Sequence, residues 1–479
     1  MISLLHISDL HRDTGSRITT ESLLESLRLD RDRYLHEGLP TPDVAIVSGD
    51  IVYGVNTSDA DSDAALKRQY DEAHDFLVRL ADTFFAGDRE RIVLVPGNHD
   101  VSHPHVMRAT EAVGVPAEPD KRRMLARELG SETSAWRWVW DEFALRRIVS
   151  PDEYNRRMEP FASFFTAFYE GRREFSVDPA AQFSLHDFPD LGIVVAGLSS
   201  CADNDLFNRS ARIHPDNVAR VTREVAAYVK KGRLPIAVWH HNLAGGPKDS
   251  DYLDAEFLQT LMDGHFSIGL HGHQHRPQYL EHRFTADKKR TLTVLSAGTL
   301  CGGPQSLPTG RRRSYNLIII DRENSSGTLH VREMTNNSFS LPVWGAAYVP
   351  EFEGSSMKFE MTMAVQPISP IQAAGEAVKL LRTGDAPAAA KLARKYPDEP
   401  YARRVALEAM TTIDDWAGIR EFCAVPQSNL EIIAVCEALY QLGEKQALRD
   451  FIAQDVVADN PDAAVRISVE TAKARAGVN

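Results

Sequence analysis

The sequence predicts an α/β core followed by an all-α C-terminal region. Three observations carry that prediction. Over roughly the first hundred residues, short apolar runs alternate with polar stretches of helical period. Each of these runs ends in a group of metal-ligating residue types, and an α/β sheet offers its site at the carboxyl ends of its strands. From Ile371 onward the chain becomes Ala-, Leu- and Glu-rich, and strand signals cease.

In chain order, the first strands are expected at residues 2–7, 44–47 and 92–95, with helices at 21–34 and 64–80 between them. A segment of about 105–185 then interrupts the pattern and reads as helical. It carries Trp136, Trp138, Trp140, Phe143, Phe161, Phe164, Phe165, Phe168 and Tyr169. Aromatics dominate buried area, so a core stripe is the first reading, with a cap over the substrate or a dimer face as the alternative. Strands resume at 193–198, 236–238, 266–270, 292–295, 317–320 and 328–331, enough to complete a two-sheet core. Residues 338–370 are weakly periodic and read as a wrapping linker between a catalytic domain of 1–337 and a helical domain of 371–479. The helical domain repeats itself weakly, with Ala388, Ala417 and Ala447 in matching places at intervals of 29 and 30 residues. Helix pairs of this length stack because none buries its apolar face alone. The pattern loosely resembles tetratricopeptide-type repeats, with a plain helical bundle as the alternative.

Composition narrows the function. At 479 residues, with 43% hydrophobic and 25% charged residues, the chain fits a globular protein of two or three domains. A net charge of −13 weighs against a broad nucleic-acid-binding surface while leaving room for a local basic groove. No run approaches the roughly 20 apolar residues of a membrane span. The apolar start runs directly into Asp9 and His11, so it reads as a strand and not as a signal peptide. Cys201, Cys301, Cys423 and Cys436 lack metal-site spacing and fit free thiols in a reducing, cytoplasmic setting.

Five short islands carry the chemistry: Asp9-Leu10-His11, Gly49-Asp50, Gly97-Asn98-His99-Asp100, Trp239-His240-His241-Asn242 and Gly272-His273-Gln274-His275. Singly, each is common as a turn or cap. Their order, and their placement after apolar runs, make the set specific. Carboxylate and amide oxygens mixed with imidazoles suit two divalent cations better than one structural zinc. Two such ions activate water near neutral pH and neutralise phosphate oxygens, so the islands point to hydrolysis of a phosphate ester. Alternation along an extended segment would place His271, His273 and His275 on one side. His240 and His241 are adjacent, and neighbours on a strand point apart, so one of them is expected at the metal.

Ser8-Asp9-Leu10-His11, Ser48-Gly49-Asp50, Gly97-Asn98-His99-Asp100, His240 and Gly272-His273-Gln274-His275 resemble the calcineurin-like metallophosphoesterases over roughly residues 1–335. The resemblance implies a four-layer α-β-β-α sandwich. It implies that Asp9, His11, Asp50 and His275 hold one metal, and that Asp50, Asn98, His240 and His273 hold the other, with Asp50 bridging. It selects His240 over His241. It makes His99 the acid that protonates the leaving oxygen, with Asp100 orienting its ring. Two divalent ions are implied, Mn²⁺ first, with Fe, Zn²⁺, Co²⁺ or Ni²⁺ as alternatives. His241 and His271 are left as phosphate contacts or supporting donors, His6 as a core histidine, and His103 and His105 as residues of the pocket mouth.

The expected activity is that of a phosphodiesterase acting on a nucleotide or other small phosphodiester. DNA nucleases of the same class share the islands. A nuclease would need basic clusters near the site, and the candidates are 121–123, 146–147, 156–157, 172–173, 288–290 and 311–313. A reading from another class is a phosphoesterase-fold scaffold that binds a protein partner through its C-terminal helices. Specificity is expected in the 105–185 insertion and in the helical tail, since the metal ligands are shared by the whole class.

Overall fold

The computed structural model describes residues 1–479 except 17, 56–60, 130, 132–133, 141, 244–250, 284–289, 304–306, 363–369 and 478–479. Lys288 and Lys289 of one basic cluster, and the end of the expected linker, therefore lie outside the described residues. The chain divides into two compact units, Met1–Gln366 and Pro367–Asn479.

The first unit is built on two facing sheets. In one, Ile2–Ile7 lies parallel to Val44–Ser48, which lies parallel to Ile92–Val95. On its other side Ile2–Ile7 pairs antiparallel with Ser314–Asp321, which in turn pairs with Ser326–Met334. The other sheet has the order Gln278–Arg283, Thr291–Ser296, Ile268–His271, Leu234–Val238, Ile193–Leu198, Phe183–Phe188, with its four inner strands parallel and its two edge strands antiparallel.

Side-chain alternation sorts these strands into layers. Ile2, Leu4, Val44, Ile46, Val93 and Val95 face Ile193, Val195, Ile236, Val238, Ile268 and Leu270 between the sheets. The opposite face of the first sheet, with Leu5, Ile7, Ala45, Val47 and Leu94, is covered by helices Thr20–Tyr34, Ser62–Phe85 and Glu159–Phe168. The opposite face of the second, with Val194, Ala196, Ala237 and Val294, is covered by Pro215–Lys230 and Glu256–Asp263. Four layers result, α-β-β-α. Strands buried on both faces read as continuous apolar runs, which is why they were legible in the sequence.

Two expectations need correction. The 105–185 segment is not wholly helical: Thr110–Val113, Trp136–Val139 and Ala144–Ile148 form a small antiparallel sheet. Phe161, Phe164, Phe165, Phe168 and Tyr169 do join the core. Trp136 and Trp138 sit instead on the small sheet, and Trp140 and Phe143 are exposed. A run of aromatics at short spacing fits either period, and here pairing with Ala144–Ile148 decided. The expected linker is likewise part of the fold. Trp344–Ala346 and Ser356–Glu360 both pair antiparallel with Ser326–Met334, and Trp344 and Phe359 are buried. Such short edge strands carry too few apolar residues to announce themselves.

In the second unit, helices Pro370–Arg382, Pro400–Thr412 and Asn429–Gln441 are each followed by a shorter one: Ala386–Ala393, Trp416–Phe422 and Lys445–Ile452. Each pair turns through a left-handed residue, Gly384, Asp414 or Gly443. Asp385 and Asp415 then cap the following helices by accepting from the amides of Ala388 and Gly418.

Candidate active site

All five islands meet at the carboxyl ends of the parallel strands. The loops after Ile2–Ile7, Val44–Ser48 and Ile92–Val95 carry Asp9, His11, Asp50 and Asn98, and those after Leu234–Val238 and Ile268–His271 carry His240, His273 and His275. Five of these residues have left-handed backbones: Asp9 (φ 52°), His11 (43°), Asp50 (51°), His273 (75°) and His275 (54°). That region is unfavourable for side-chain-bearing residues and recurs at functional sites. It also revises one expectation. His271 closes a strand, but His273 and His275 are not on an extended segment, so alternation is not what brings them together. His271 stays buried, stacked on Trp239 with its Nδ1 on the Gly272 carbonyl.

Two side-chain clusters share Asp50. In the first, His275 Nε2 lies 3.1 Å from Asp9 Oδ1 and 3.2 Å from His11 Nε2, while Asp50 Oδ2 stands 3.9 Å from His11 Nε2. In the second, His240 Nε2 lies 3.3 Å from Asp50 Oδ1, and Asn98 Oδ1 lies 3.1 Å from His240 Nε2 and 3.0 Å from His273 Nδ1. Glycines permit this approach. A Cβ on Gly97 would stand 2.2 Å from Asp50 Oδ1, and one on Gly272 would stand 1.8 Å from Ser8 Oγ and 2.7 Å from Asp9 Oδ2.

The hydrogen bonds on the far side of each ring show what these atoms are for. His240 Nδ1 donates to the Ser48 carbonyl at 2.7 Å, so neutral His240 presents a lone pair at Nε2. His273 Nε2 donates to Asp251 Oδ2 at 3.0 Å, which leaves a lone pair on its Nδ1. Those two nitrogens are 3.3 Å apart and both face the Asn98 amide oxygen. Lone pairs converging on one point repel unless a cation lies between them. The donor set thus fits divalent metal ions, and Asp9–His11–His275 and Asp50–His240–His273 can each hold one.

Electrostatics agree. Burial would raise the carboxyls of Asp9 and Asp50, but the neighbouring imidazoles hold both well below the usual carboxylate range. Burial lowers His11 to about 4. Burial lowers His240 too, but Asp50 beside it reverses the balance and raises it to about 9. A proton there competes with a metal ion for the same lone pair.

His99 and Asp100 divide differently from expectation. The His99 ring is not oriented by Asp100. Its Nδ1 donates to the Tyr53 carbonyl at 2.6 Å, and its Nε2 is left 4.0 Å from Asp50 Oδ2. Asp100 is fully buried and accepts from the amides of Gly97, Ile51 and Val52 and from the Tyr70 hydroxyl. It ties the second and third islands together. Burial, with Asp50 nearby, raises its carboxyl to about 7.

A cavity of about 730 Å³ adjoins the second cluster, lined by Asn98, His99, His273, His241, Tyr53 and Arg209 among others. No described residue of 105–185 lines it. The insertion acts one step back: Arg137 and Tyr154 each donate to Asp205 at 2.6 Å, and Arg157 donates to the carbonyl of Ala202, fixing the loop that carries Arg209. His103 does line the cavity, whereas His105 pairs with Glu153 elsewhere. His6 is a core residue hydrogen-bonded to Ser48 Oγ. Sequence reading missed Tyr53, Ser200, Arg209 and Asp251, none of which sits in a motif.

A fold of this kind with paired ligand clusters at its strand ends defines a metal-dependent phosphoester hydrolase. The chain belongs to the calcineurin-like phosphoesterase family, whose model matches residues 2–277. Among solved structures, it is similar to a dimetal phosphatase from Danio rerio, at 10% identity over 72% of this chain and 98% of that one, with a TM-score of 0.34. It is similar to the calcineurin-like phosphoesterase YfkN from Bacillus subtilis at 12% identity, over 76% and 91% of the two chains, with a TM-score of 0.30. The protein TT1561 of Thermus thermophilus shows 12% identity over 66% and 93%, with a TM-score of 0.29. No curated protein matches the chain. No helix among the described residues is long and apolar enough to cross a membrane.

Proposed function

We propose that the protein is a dinuclear phosphodiesterase acting on a nucleotide or another small phosphodiester. The observation that carries this reading is the cavity beside the second cluster. At about 730 Å³ it has room for an organic group next to the phosphorus. Tyr53 and Leu206 offer it apolar surface, and Arg209, which makes no ion pair or hydrogen bond among the described residues, offers it a cation.

The ligands are Asp9, His11, Asp50 and His275 on one side and Asp50, Asn98, His240 and His273 on the other. Oxygen and imidazole donors without a thiolate fit Mn²⁺, Fe, Zn²⁺, Co²⁺ and Ni²⁺ alike, and the family resemblance puts Mn²⁺ first. Bound divalent ions would supply an activated water and neutralise the phosphoryl oxygens. The chain's own residues do the rest. The Ser48 carbonyl and Asp251 aim His240 and His273. The Tyr53 carbonyl holds the His99 Nδ1 proton, so protonated His99 can deliver only its Nε2 proton to the leaving oxygen as the P–O bond breaks.

A polynucleotide substrate is disfavoured because five of the six basic clusters hold residues paired with carboxylates, 146–147 being the exception among the described residues. Lys121 pairs with Glu118, Arg123 with Asp120, Arg156 with Glu159, Arg173 with Glu90, Arg290 with Asp263, and Arg311 with Glu351. Such pairs add little stability, but they cancel the field a phosphate backbone requires. The helical unit is assigned a partner-binding role and not a catalytic one. The four unpaired cysteines support a cytoplasmic setting.

The test is a substrate panel with Mn²⁺, setting bis(p-nitrophenyl) phosphate and cyclic nucleotides beside DNA and RNA. The small diesters should be hydrolysed, and Asp50→Ala should lose both metal and activity. Inactive wild type with added Mn²⁺ would sink the reading, and faster turnover of DNA or RNA would replace it with the nuclease.

A further inference from the structure

Next to the ligand His240 stands a second histidine that the dinuclear mechanism leaves unused. His241 and Ser200 are both buried. Ser200 Oγ accepts from the backbone amides of His240, at 3.3 Å, and His241, at 3.2 Å. A hydroxyl oxygen has two lone pairs and one proton. Both lone pairs being taken, the proton must go to the remaining neighbour, His241 Nδ1, at 2.7 Å. That makes Nδ1 the acceptor and puts the proton of the neutral ring on Nε2. The Trp239 indole N–H, donating to the His241 carbonyl at 2.8 Å, helps hold the residue in place.

Nε2–H is then a buried donor, and it has no hydrogen-bond partner among the described residues. His241 nevertheless lines the cavity beside the second cluster, with its ring centroid 4.8 Å from that of His273. A buried donor without an acceptor is costly, and such groups need a reason. A nitrogen that carries a proton is no metal ligand, so a third imidazole ligand is not that reason.

We propose that His241 Nε2–H is a substrate-binding group that donates to a non-bridging phosphate oxygen, with Ser200 as the residue that fixes its tautomer. This deepens the phosphoesterase reading and rests on it. The donor is neutral and preset, so it binds the oxyanion without contributing a proton to the reaction. It acts on the phosphoryl group itself, whereas His99 acts on the leaving oxygen.

Two measurements test it. In Zn²⁺-loaded wild-type protein with ¹⁵N-labelled histidine, His241, assigned by its loss in His241→Gln, should carry its proton on Nε2. That resonance should move when inorganic phosphate is added. A proton on Nδ1, or an Nε2 resonance unmoved at saturating phosphate, overturns the proposal. In calorimetry with inorganic phosphate, His241→Phe should bind about 10- to 100-fold more weakly, the worth of one hydrogen bond to a charged oxygen. Metal content should be unchanged, and His241→Gln, which keeps a side-chain N–H, should recover part of the loss. Unaltered phosphate affinity in His241→Phe, or loss of metal in both variants, overturns it. Phosphate binding is read without turnover. A wild type that shows the shift and the affinity yet hydrolyses no ester leaves this inference standing and removes the phosphodiesterase.

Discussion

At the scale of single residues, His99 and Asp100 show how adjacent polar groups in one motif acquire different tasks. His99 is half-exposed at the cavity with its ring set by a backbone carbonyl, while Asp100 points inward and gathers three amide donors from two loops and a hydroxyl from a helix. His99→Ala should therefore keep its metals and lose about 10²- to 10⁴-fold in kcat, most for substrates with poor leaving groups. A leaving-group series measures this, and a uniform loss across the series would remove the acid role. Asp100→Asn should behave otherwise. It turns an amide NH₂ toward buried donors, at a cost of about 1–3 kcal/mol for each one orphaned. Denaturant unfolding should show the lost stability, and metal content should fall with it, with no leaving-group dependence. Both residues were legible in the sequence as members of a motif. The direction in which Asp100 points was not, because it depends on Ile51, Val52 and Tyr70, which are distant in the chain.

At the scale of elements, strands were legible where both faces are buried, since an apolar run then needs no partner to be noticed. They were not legible where pairing alone makes the strand, as at Trp136–Val139, Trp344–Ala346 and Ser356–Glu360. The helical unit shows the same dependence. Helices Pro400–Thr412 and Asn429–Gln441 are linked by a buried ion pair in which Arg403 Nη2 and Nε donate to the two oxygens of Glu431 at 2.7 and 2.8 Å. Glu431 also accepts from the Gln427 amide, and Arg403 donates to the Pro397 carbonyl. Removing one partner strands the other charge, so Arg403→Ala or Glu431→Ala should destabilise this unit by about 3–5 kcal/mol. The double change to apolar residues of similar volume should cost far less. Denaturation followed by helical circular dichroism checks both, and equal losses for the single and double variants would contradict the pairing.

At the scale of the whole molecule, Met1–Gln366 contains both ligand clusters, the cavity and all four layers, and Pro367–Asn479 has a separate core of its own. A fragment of residues 1–366 should therefore bind two metals and hydrolyse bis(p-nitrophenyl) phosphate at a rate close to that of the full chain. Metal analysis and kinetics on the fragment check this, and loss of metal binding would make the helical unit part of the catalytic fold. The sequence by itself determined the class, because residue types that ligate metals at the ends of apolar runs are local patterns and strand ends converge in any such sheet. Tertiary structure alone decided the rest: the left-handed ligand backbones, the carbonyl that sets His99, the loop carrying Arg209 and the serine that fixes the proton on His241. Each of those depends on which atoms face one another across the fold, and facing is a property of packing between segments far apart in the chain.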